Sequence, residues 1–257
     1  MGPQAEAAGC VVVDNSSAWR MDHRVPLVVP AINGGSGQVS LGQGGIIANP
    51  NCSTIQVALA VAPLEKLAGL REVQVTTMQA VSGAGQAGVA ELDRQLSDES
   101  ARQHPEVFPR TIAGNVIPAI GKALPGGFFE EETKVELELR KILGRGDDLA
   151  VTCTATRVPV ANGHSAAVRV VCGRPVTPEE AVRAMAGWPG LVVEADSHLY
   201  ATALEVSGRT TVHVGRLRAD PGNDHALLMW VVADNLLKGA AWNAVQIAAM
   251  LAGEQDR

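Results

Sequence analysis

Residues 149–171 read LAVTCTATRVPVANGHSAAVRVV. Two apolar runs rich in Val, Thr and Ala, 149–160 and 166–171, lie either side of the turn-forming Ala161-Asn162-Gly163, so two strands are expected with a break between them. Shorter runs of the same kind stand at 10–13, 27–29, 46–48, 73–80, 191–194, 210–216 and 226–232. Helical spacing begins at Cys52, where Ile55, Leu59, Val61 and Leu64 are set for a buried face and Pro63 is expected to kink the helix. Further helices are expected at 88–96, 130–143 and 235–251, and one opens at Thr177. There Thr177, Pro178 and Glu180 supply an N-cap, a first-turn proline and the partner of a capping box. Strands and helices mix without strict alternation, and the neighbouring strands near the C-terminus suggest antiparallel pairing. The expectation is an α+β fold with a mixed or antiparallel sheet.

A 257-residue chain that is 46% hydrophobic and 19% charged is able to bury a substantial core, and at 3% aromatic residues that core must be aliphatic. A net charge of −6 without any Lys/Arg-rich run excludes a polyanionic partner such as nucleic acid. The four cysteines, Cys10, Cys52, Cys153 and Cys172, form no CxxC pair, so neither a metal site nor a disulfide framework is expected. Reduced thiols and the lack of a signal-like N-terminus place the expectation in the cytoplasm. The apolar stretch at 239–253 is too short to span a bilayer and is interrupted by Asn243 and Gln246, so no membrane partner is expected.

Cys52 stands in ANPNCST, after an apolar run and a Pro-Asn turn, at the start of a helix. Free N–H groups and the positive end of the helix favour thiolate over thiol, and such placement lowers a cysteine pKa to roughly 3.5–7.5. His164 follows the Ala161-Asn162-Gly163 turn, where a strand end faces a cleft. With Arg157 seven residues before it, the set suits acyl chemistry on an anionic substrate. Gly83-Ala84-Gly85-Gln86-Ala87-Gly88 matches G-x-G-x-x-G. Pro105, Pro109 and Pro118 stand where a second strand would have to run, so no dinucleotide-binding βαβ unit is expected from it. The glycine-rich segment 33–45 lacks a GK[ST] ending and reads as a linker.

Six stretches, VVVDNSSAWRM, GIIANPNCSTIQ, VTTMQAVSGAGQ, EEETKVELELRKIL, TATRVPVANGHS and WVVADNLLKGAAWNAVQIA, together resemble the bacterial aspartate-semialdehyde dehydrogenases over almost the whole chain. The resemblance implies a mixed-sheet catalytic and dimerisation domain of the glyceraldehyde-3-phosphate-dehydrogenase-like kind at 51–234. It also implies the remnant of a Rossmann-type dinucleotide-binding domain at 1–50, and a helix at 235–257 that returns to that domain. The implied reaction is NADP-dependent reductive dephosphorylation of L-4-aspartyl phosphate to L-aspartate 4-semialdehyde, in a homodimer or homotetramer.

Residue by residue, the resemblance makes Cys52 the acyl-thioester nucleophile and His164 the acid/base. Gln79 and Asn51 act at the reacting end, Arg157 on the substrate carboxylate and Glu131 on its ammonium group. Arg20 and Lys134 receive phosphate, and Ser82, Gly83, Asn235 and Gln246 meet the nicotinamide side of NADPH. The family's opening strand, glycine-rich turn and helix, which hold the pyrophosphate, have no counterpart ahead of residue 10. On that reading NADPH affinity is negligible, and exposed Leu236, Leu237 and Ile247 favour self-association. A non-catalytic dimerisation fragment is one alternative. A Cys–His hydrolase is another, and it leaves the phosphate-site pair Arg20 and Lys134 and the Ser82-Gly83-Ala84-Gly85 loop without a purpose.

Overall fold

The computed structural model describes residues 2–35 and 44–253, and in it the two strands of the 149–171 stretch do not pair with each other. A third strand from earlier in the chain runs between them. The elements in order are α1 (Gly2–Ala7), β1 (Val11–Asp14), α2 (Pro30–Asn33), β2 (Gly45–Ala48), α3 (Cys52–Ala68), β3 (Leu70–Gln79) and α4 (Gly85–Ser97). They continue with α5 (Glu130–Ile142), β4 (Ala150–Arg157), β5 (His164–Cys172), α6 (Pro178–Met185), β6 (Leu191–Val193), α7 (Ala203–Val206), β7 (Val212–Asp220), β8 (Asn223–Ala233) and α8 (Trp242–Leu251). A two-stranded parallel sheet pairs β1 with β2, and a six-stranded sheet has the order β4-β3-β5-β8-β7-β6. Within it β3–β4 and β6–β7 are parallel, while β3–β5, β5–β8 and β7–β8 are antiparallel. The mixed α+β architecture expected from the sequence is the one observed.

One face of the large sheet is dry. Val73, Val75 and Thr77 of β3, Val151, Cys153 and Ala155 of β4, and Ala166, Val168 and Val170 of β5 are all buried, with the alternate residues more open, as a period of two requires. Helix α3 lies against this face. Its residues 53–64 are buried without interruption, so it is covered on all sides rather than on one face, and it runs through Pro63 as one helix. Helices α5 and α6 pack beside α3 and complete the layer. The opposite face, with Thr76, Thr154 and Ala167, remains exposed.

The main core also takes in Val25, Leu27, Val29, Ile46 and Ala48 from the N-terminal part of the chain. Residues 27–29 do not form a separate strand; Leu27 makes a single bridge to Ala48, and Pro30 then starts α2. A small cluster of Val28, Ile47 and Ile247 ties α8 to β1 and β2. Ile247, expected at the surface, is fully buried, because the β1–β2 pair supplies the packing partner. Leu236 is half exposed. The capping box of α6 forms as read, with Thr177 Oγ1 accepting from Glu180 N–H and the Glu180 carboxylate accepting from Thr177 N–H. No strand follows the G-x-G-x-x-G segment. Residues 98–129 instead form turns held by Glu91, whose carboxylate accepts from Glu106 and Val107 N–H, and by Gln95, whose Oε1 accepts from Ile112 and Ala113 N–H. Most of the 33–45 linker reading falls at 36–43, outside the described residues.

The α3–sheet contact carries the fold, so Leu59, fully buried at its centre, is the residue on which to test it. Leu59→Ala is expected to cost about 2–5 kcal/mol through lost burial and the cavity left behind, read as a shift in the denaturant midpoint; an unchanged midpoint would contradict this packing.

Candidate active site

The strand order builds the site. Gln79 and Arg157 are register partners at the C-terminal ends of the parallel strands β3 and β4. On the other side of β3, antiparallel β5 begins at His164, immediately before Ser165, which pairs with Met78. Arg157, Gln79 and His164 therefore stand in a row at one end of the sheet, all buried on the face that α3 covers. Cys52 is the first residue of α3. A cleft of about 440 Å³ opens there and is lined by Cys52, Asn51, Gln79, Arg157, His164 and Glu131. Its remaining walls include Arg20, Lys134, Ser82, Gly83 and Asn235. Residues more than 130 apart in sequence are brought together, and Gln246 alone of those singled out above is not among the lining residues. Its Oε1 accepts from the buried Lys238 ammonium at 2.7 Å, which turns the amide into the protein.

Glu131 organises one wall. Its Oε1 accepts from Asn51 Nδ2 at 2.8 Å and from Gln79 Nε2 at 2.9 Å, and its Oε2 lies 3.5 Å from Lys134 Nζ. Both ends of the Asn51 amide are engaged, since its Oδ1 also caps α3 by accepting from Ser53 and Thr54 N–H. Gln79 donates in addition to Ser53 Oγ, while its own Oε1 is buried with no partner among the described residues. A buried orphan acceptor of this kind suits a donor on a ligand. Arg157 donates to Ala80 O at 2.7 Å and lies over the Phe108 ring. Gly83 leaves room beside it: a Cβ there would lie 2.7 Å from Arg157 Nη1 and 3.1 Å from His164 Nε2.

The histidine is oriented from the backbone. Its Nδ1 accepts from Ala80 N–H at 3.0 Å, so a neutral ring carries its proton on Nε2, which has no partner among the described residues. Burial, reinforced by the Arg157 charge, pushes the imidazole down to about 3, so at neutral pH it is an uncharged N–H donor. Asn235 supports the same turn, with its Oδ1 accepting from Gly163 N–H at 2.9 Å and its Nδ2 donating to Ser82 Oγ at 3.0 Å.

Cys52 departs from the sequence expectation. Desolvation by the cleft walls, with the nearby Glu131 carboxylate, pushes its thiol up to about 12, against weaker pulls from Ser53 N–H, Arg157 and Arg20. The helix N-terminus does not produce a resting thiolate, because burial penalises the charged form more than the helix end favours it.

Two contributors escaped the sequence reading. Glu138, 1% exposed, accepts from Asn51 N–H and pairs with Arg20; its signal was its place seven residues after Glu131, on the same helix face. Gly239 lies in a π-helical turn, Leu237–Ala241, packed so tightly on the start of α3 that a Cβ would come within 2.9 Å of Cys52 Cβ. No local sequence signal marks that contact. Among the described residues there is no cluster able to hold a metal ion.

A helix-initiating cysteine and a buried histidine thus share one cleft at the strand ends of a mixed sheet. Residues 61–238 match the semialdehyde dehydrogenase dimerisation domain, and residues 1–37 match the semialdehyde dehydrogenase NAD binding domain. The chain is 42% identical over 257 residues to the aspartate-semialdehyde dehydrogenase of Aquifex aeolicus (strain VF5), covering 98% of this chain and 75% of that protein. It is 41% identical over 264 residues to that of Bacillus subtilis (strain 168), covering 98% and 75%. The solved structure of aspartate semialdehyde dehydrogenase II from Vibrio cholerae, complexed with ASA, superposes with a TM-score of 0.88 at 38% identity, covering 99% of this chain and 76% of that one. The chain belongs to the aspartate-semialdehyde dehydrogenase family.

A raised thiol pKa means less thiolate, and the thiolate is the form that alkylates. Between pH 7 and 9, iodoacetamide is therefore expected to modify exposed Cys10 well before Cys52 in the ligand-free chain, as read by peptide mass spectrometry. Preferential labelling of Cys52 at pH 7 would show that a thiolate is present at rest.

Proposed function

We propose that this chain carries the catalytic chemistry of an NADP-dependent aspartate-semialdehyde dehydrogenase, which converts L-4-aspartyl phosphate to L-aspartate 4-semialdehyde through a thioester on Cys52. The observation that carries the reading is the single cleft in which the thiol meets a neutral Nε2–H donor and two separate cationic groups, Arg157 and the Arg20/Lys134 pair. A hydrolase using only Cys52 and His164 would have no use for the second cationic group.

The residues act as follows. The Arg157 guanidinium holds the substrate carboxylate, and the Glu131 carboxylate holds its ammonium group. Arg20 and Lys134 hold the phosphoryl oxygens of the acyl phosphate. Cys52 sulfur adds to the acyl carbon, the C–O bond to phosphate breaks, and phosphate leaves with the thiol proton. Gln79 and Asn51 keep Glu131 and the α3 N-terminus in register with the reacting carbon. Because thiol and imidazole are both neutral at rest, proton transfer accompanies attack instead of preceding it. His164 Nε2–H then donates to the oxygen that becomes negative when the thioester is reduced and recovers its proton as the C–S bond breaks; aldehyde is released, and the sulfur, leaving as thiolate, takes a proton from solvent to restore the thiol.

NADPH supplies the hydride when bound. The cleft fits its nicotinamide end: the missing side chain of Gly83 leaves a flat approach beside His164, half-exposed Leu236 offers an apolar wall, and Ser82 and Asn235 present polar atoms. We further infer a homodimer formed through the exposed face of the six-stranded sheet, where Thr76, Thr154 and Ala167 stand. We also propose a division into a dinucleotide-binding part at 1–50, a catalytic and dimerisation part at 51–234 and a returning C-terminal helix; the family matches at 1–37 and 61–238 support its first two parts. A cytoplasmic location agrees with four unpaired cysteines, and no helix among the described residues is long and apolar enough to cross a membrane.

Two substitutions test the reading. Cys52→Ser is expected to abolish thioester formation, because a serine hydroxyl is scarcely ionised near neutral pH; acylated protein detected by mass spectrometry at wild-type levels would remove Cys52 from the nucleophile's role. His164→Asn is expected to lower kcat by about 10²–10⁴-fold, the usual range for a lost general acid/base, with little change in KM. A steep rise in KM at constant kcat would make His164 a binding residue.

A further inference from the structure

Along α5, Glu131, Lys134, Glu138 and Lys141 recur at intervals of three, four and three residues, which sets all four on one helix face. The first two line the cleft. The second two reach instead to the loop that carries Arg20 and to the turn that carries Asn51. Lys141 Nζ donates to three backbone carbonyls of that loop, Arg20 O at 2.7 Å and Asp22 and Val25 O at 2.8 Å each. Glu138 divides its two oxygens: Oε1 lies 3.1 Å from Arg20 Nη1, and Oε2 accepts from Asn51 N–H at 2.6 Å.

The consequence for Arg20 follows from counting donors. A guanidinium has five N–H groups. Three are taken by the protein: Nε by Asn49 O at 2.9 Å, Nη2 by Asn15 O at 2.9 Å, and Nη1 by Glu138. One N–H on each terminal nitrogen is left without a partner among the described residues, and Arg20 lines the cleft. A fork held at three points presents its remaining pair without the loss of side-chain freedom that a mobile arginine suffers on binding an oxyanion. The same carboxylate fixes the backbone one residue before the nucleophile.

We propose that Glu138 is a positioning residue of the phosphate site: by holding the Arg20 fork and the Asn51 turn at once, it sets the phosphoryl-binding group and the Cys52 turn in a single frame, with Lys141 pinning the Arg20 loop behind it. The proposal rests on Arg20 being the phosphate ligand, as argued above. Burial of Glu138 raises its pKa, while Arg20 and Asn51 N–H act to keep it ionised. The carboxylate is thus poised to report any loss of its partners.

Inorganic phosphate titrated into the chain by calorimetry, with L-aspartate 4-semialdehyde titrated separately, tests the idea. Glu138→Gln is expected to weaken phosphate binding about tenfold, the worth of one charge-assisted hydrogen bond, and to leave the semialdehyde Kd within about twofold of wild type, since Arg157 makes no contact with Glu138. A general loss of structure would weaken both ligands together. Phosphate binding unchanged in folded Glu138→Gln, or a parallel loss of both ligands, overturns the proposal. If Glu138→Gln does not fold, Glu138→Asp decides: it keeps the charge but draws the carboxylate back by one carbon, and is expected to weaken phosphate alone. Arg20→Ala separates the two levels of the argument. Undiminished phosphate binding there shows that Arg20 is not the phosphate ligand, which overturns both that assignment and the role given to Glu138; abolished binding there with unchanged Glu138→Gln overturns only the latter.

Discussion

The constraint on which the rest depends is the insertion of β3 between β4 and β5. Parallel to one neighbour and antiparallel to the other, β3 ends where β4 ends and where β5 begins, so Gln79, Arg157 and His164 meet at one end of the sheet. The ladders leave no latitude in this. A slip of one residue in either pairing would turn Arg157 or His164 to the opposite face, away from α3 and Cys52. The apolar alternation of β3, β4 and β5 under the buried α3 protects the register, because any slip would expose the residues that now fill the core. Packing stability and catalytic geometry are therefore enforced by the same alternation.

Around that row the electrostatics are arranged by burial. Desolvation drives the thiol up and the imidazole down, so both are neutral at rest even though Arg20, Arg157 and Glu131 lie close by. Charge in the cleft is carried by side chains already oriented by the protein. Arg157 is held by Ala80 O, Arg20 by Asn15, Asn49 and Glu138, and Glu131 by two amides. Preorganised dipoles and charges of this kind need little rearrangement as charge develops in a transition state. Gly83 and Gly239 complete the arrangement by absence, since a methyl group at either position would press on His164 and Arg157 or on Cys52.

Local chemistry was legible wherever it depended on near neighbours. The α6 capping box, the helix starting at Cys52, the charged α5 and the failure of the G-x-G-x-x-G segment to open a βαβ unit could all be read from a few adjacent residues. Each is decided within one or two turns of chain, by N-cap hydrogen bonds or by prolines that break a strand. That the residues singled out by the resemblance, apart from Gln246, line one cleft is a finding of the structure, and the motifs that pointed to them do not explain it. What misled was the assumption that a helix N-terminus sets the thiol's charge state, and that Ile247 would be left without a partner. Both depend on what covers a residue, and sequence spacing is silent about cover.

By itself the sequence determined the identity of the longer elements, the apolar alternation of the central strands and the side chains available for chemistry, because propensity, capping and alternation act over a handful of residues. Only the tertiary structure decided that β4 and β5, consecutive in the chain, are separated by β3, and hence that three strand ends converge. It also decided that Gln246 turns to Lys238 while Glu138 joins Arg20 to Asn51 across 118 and 87 residues. Contacts at such separations follow from the one packing that buries α3 on all sides at once, and no local pattern specifies which distant partner fills a given wall.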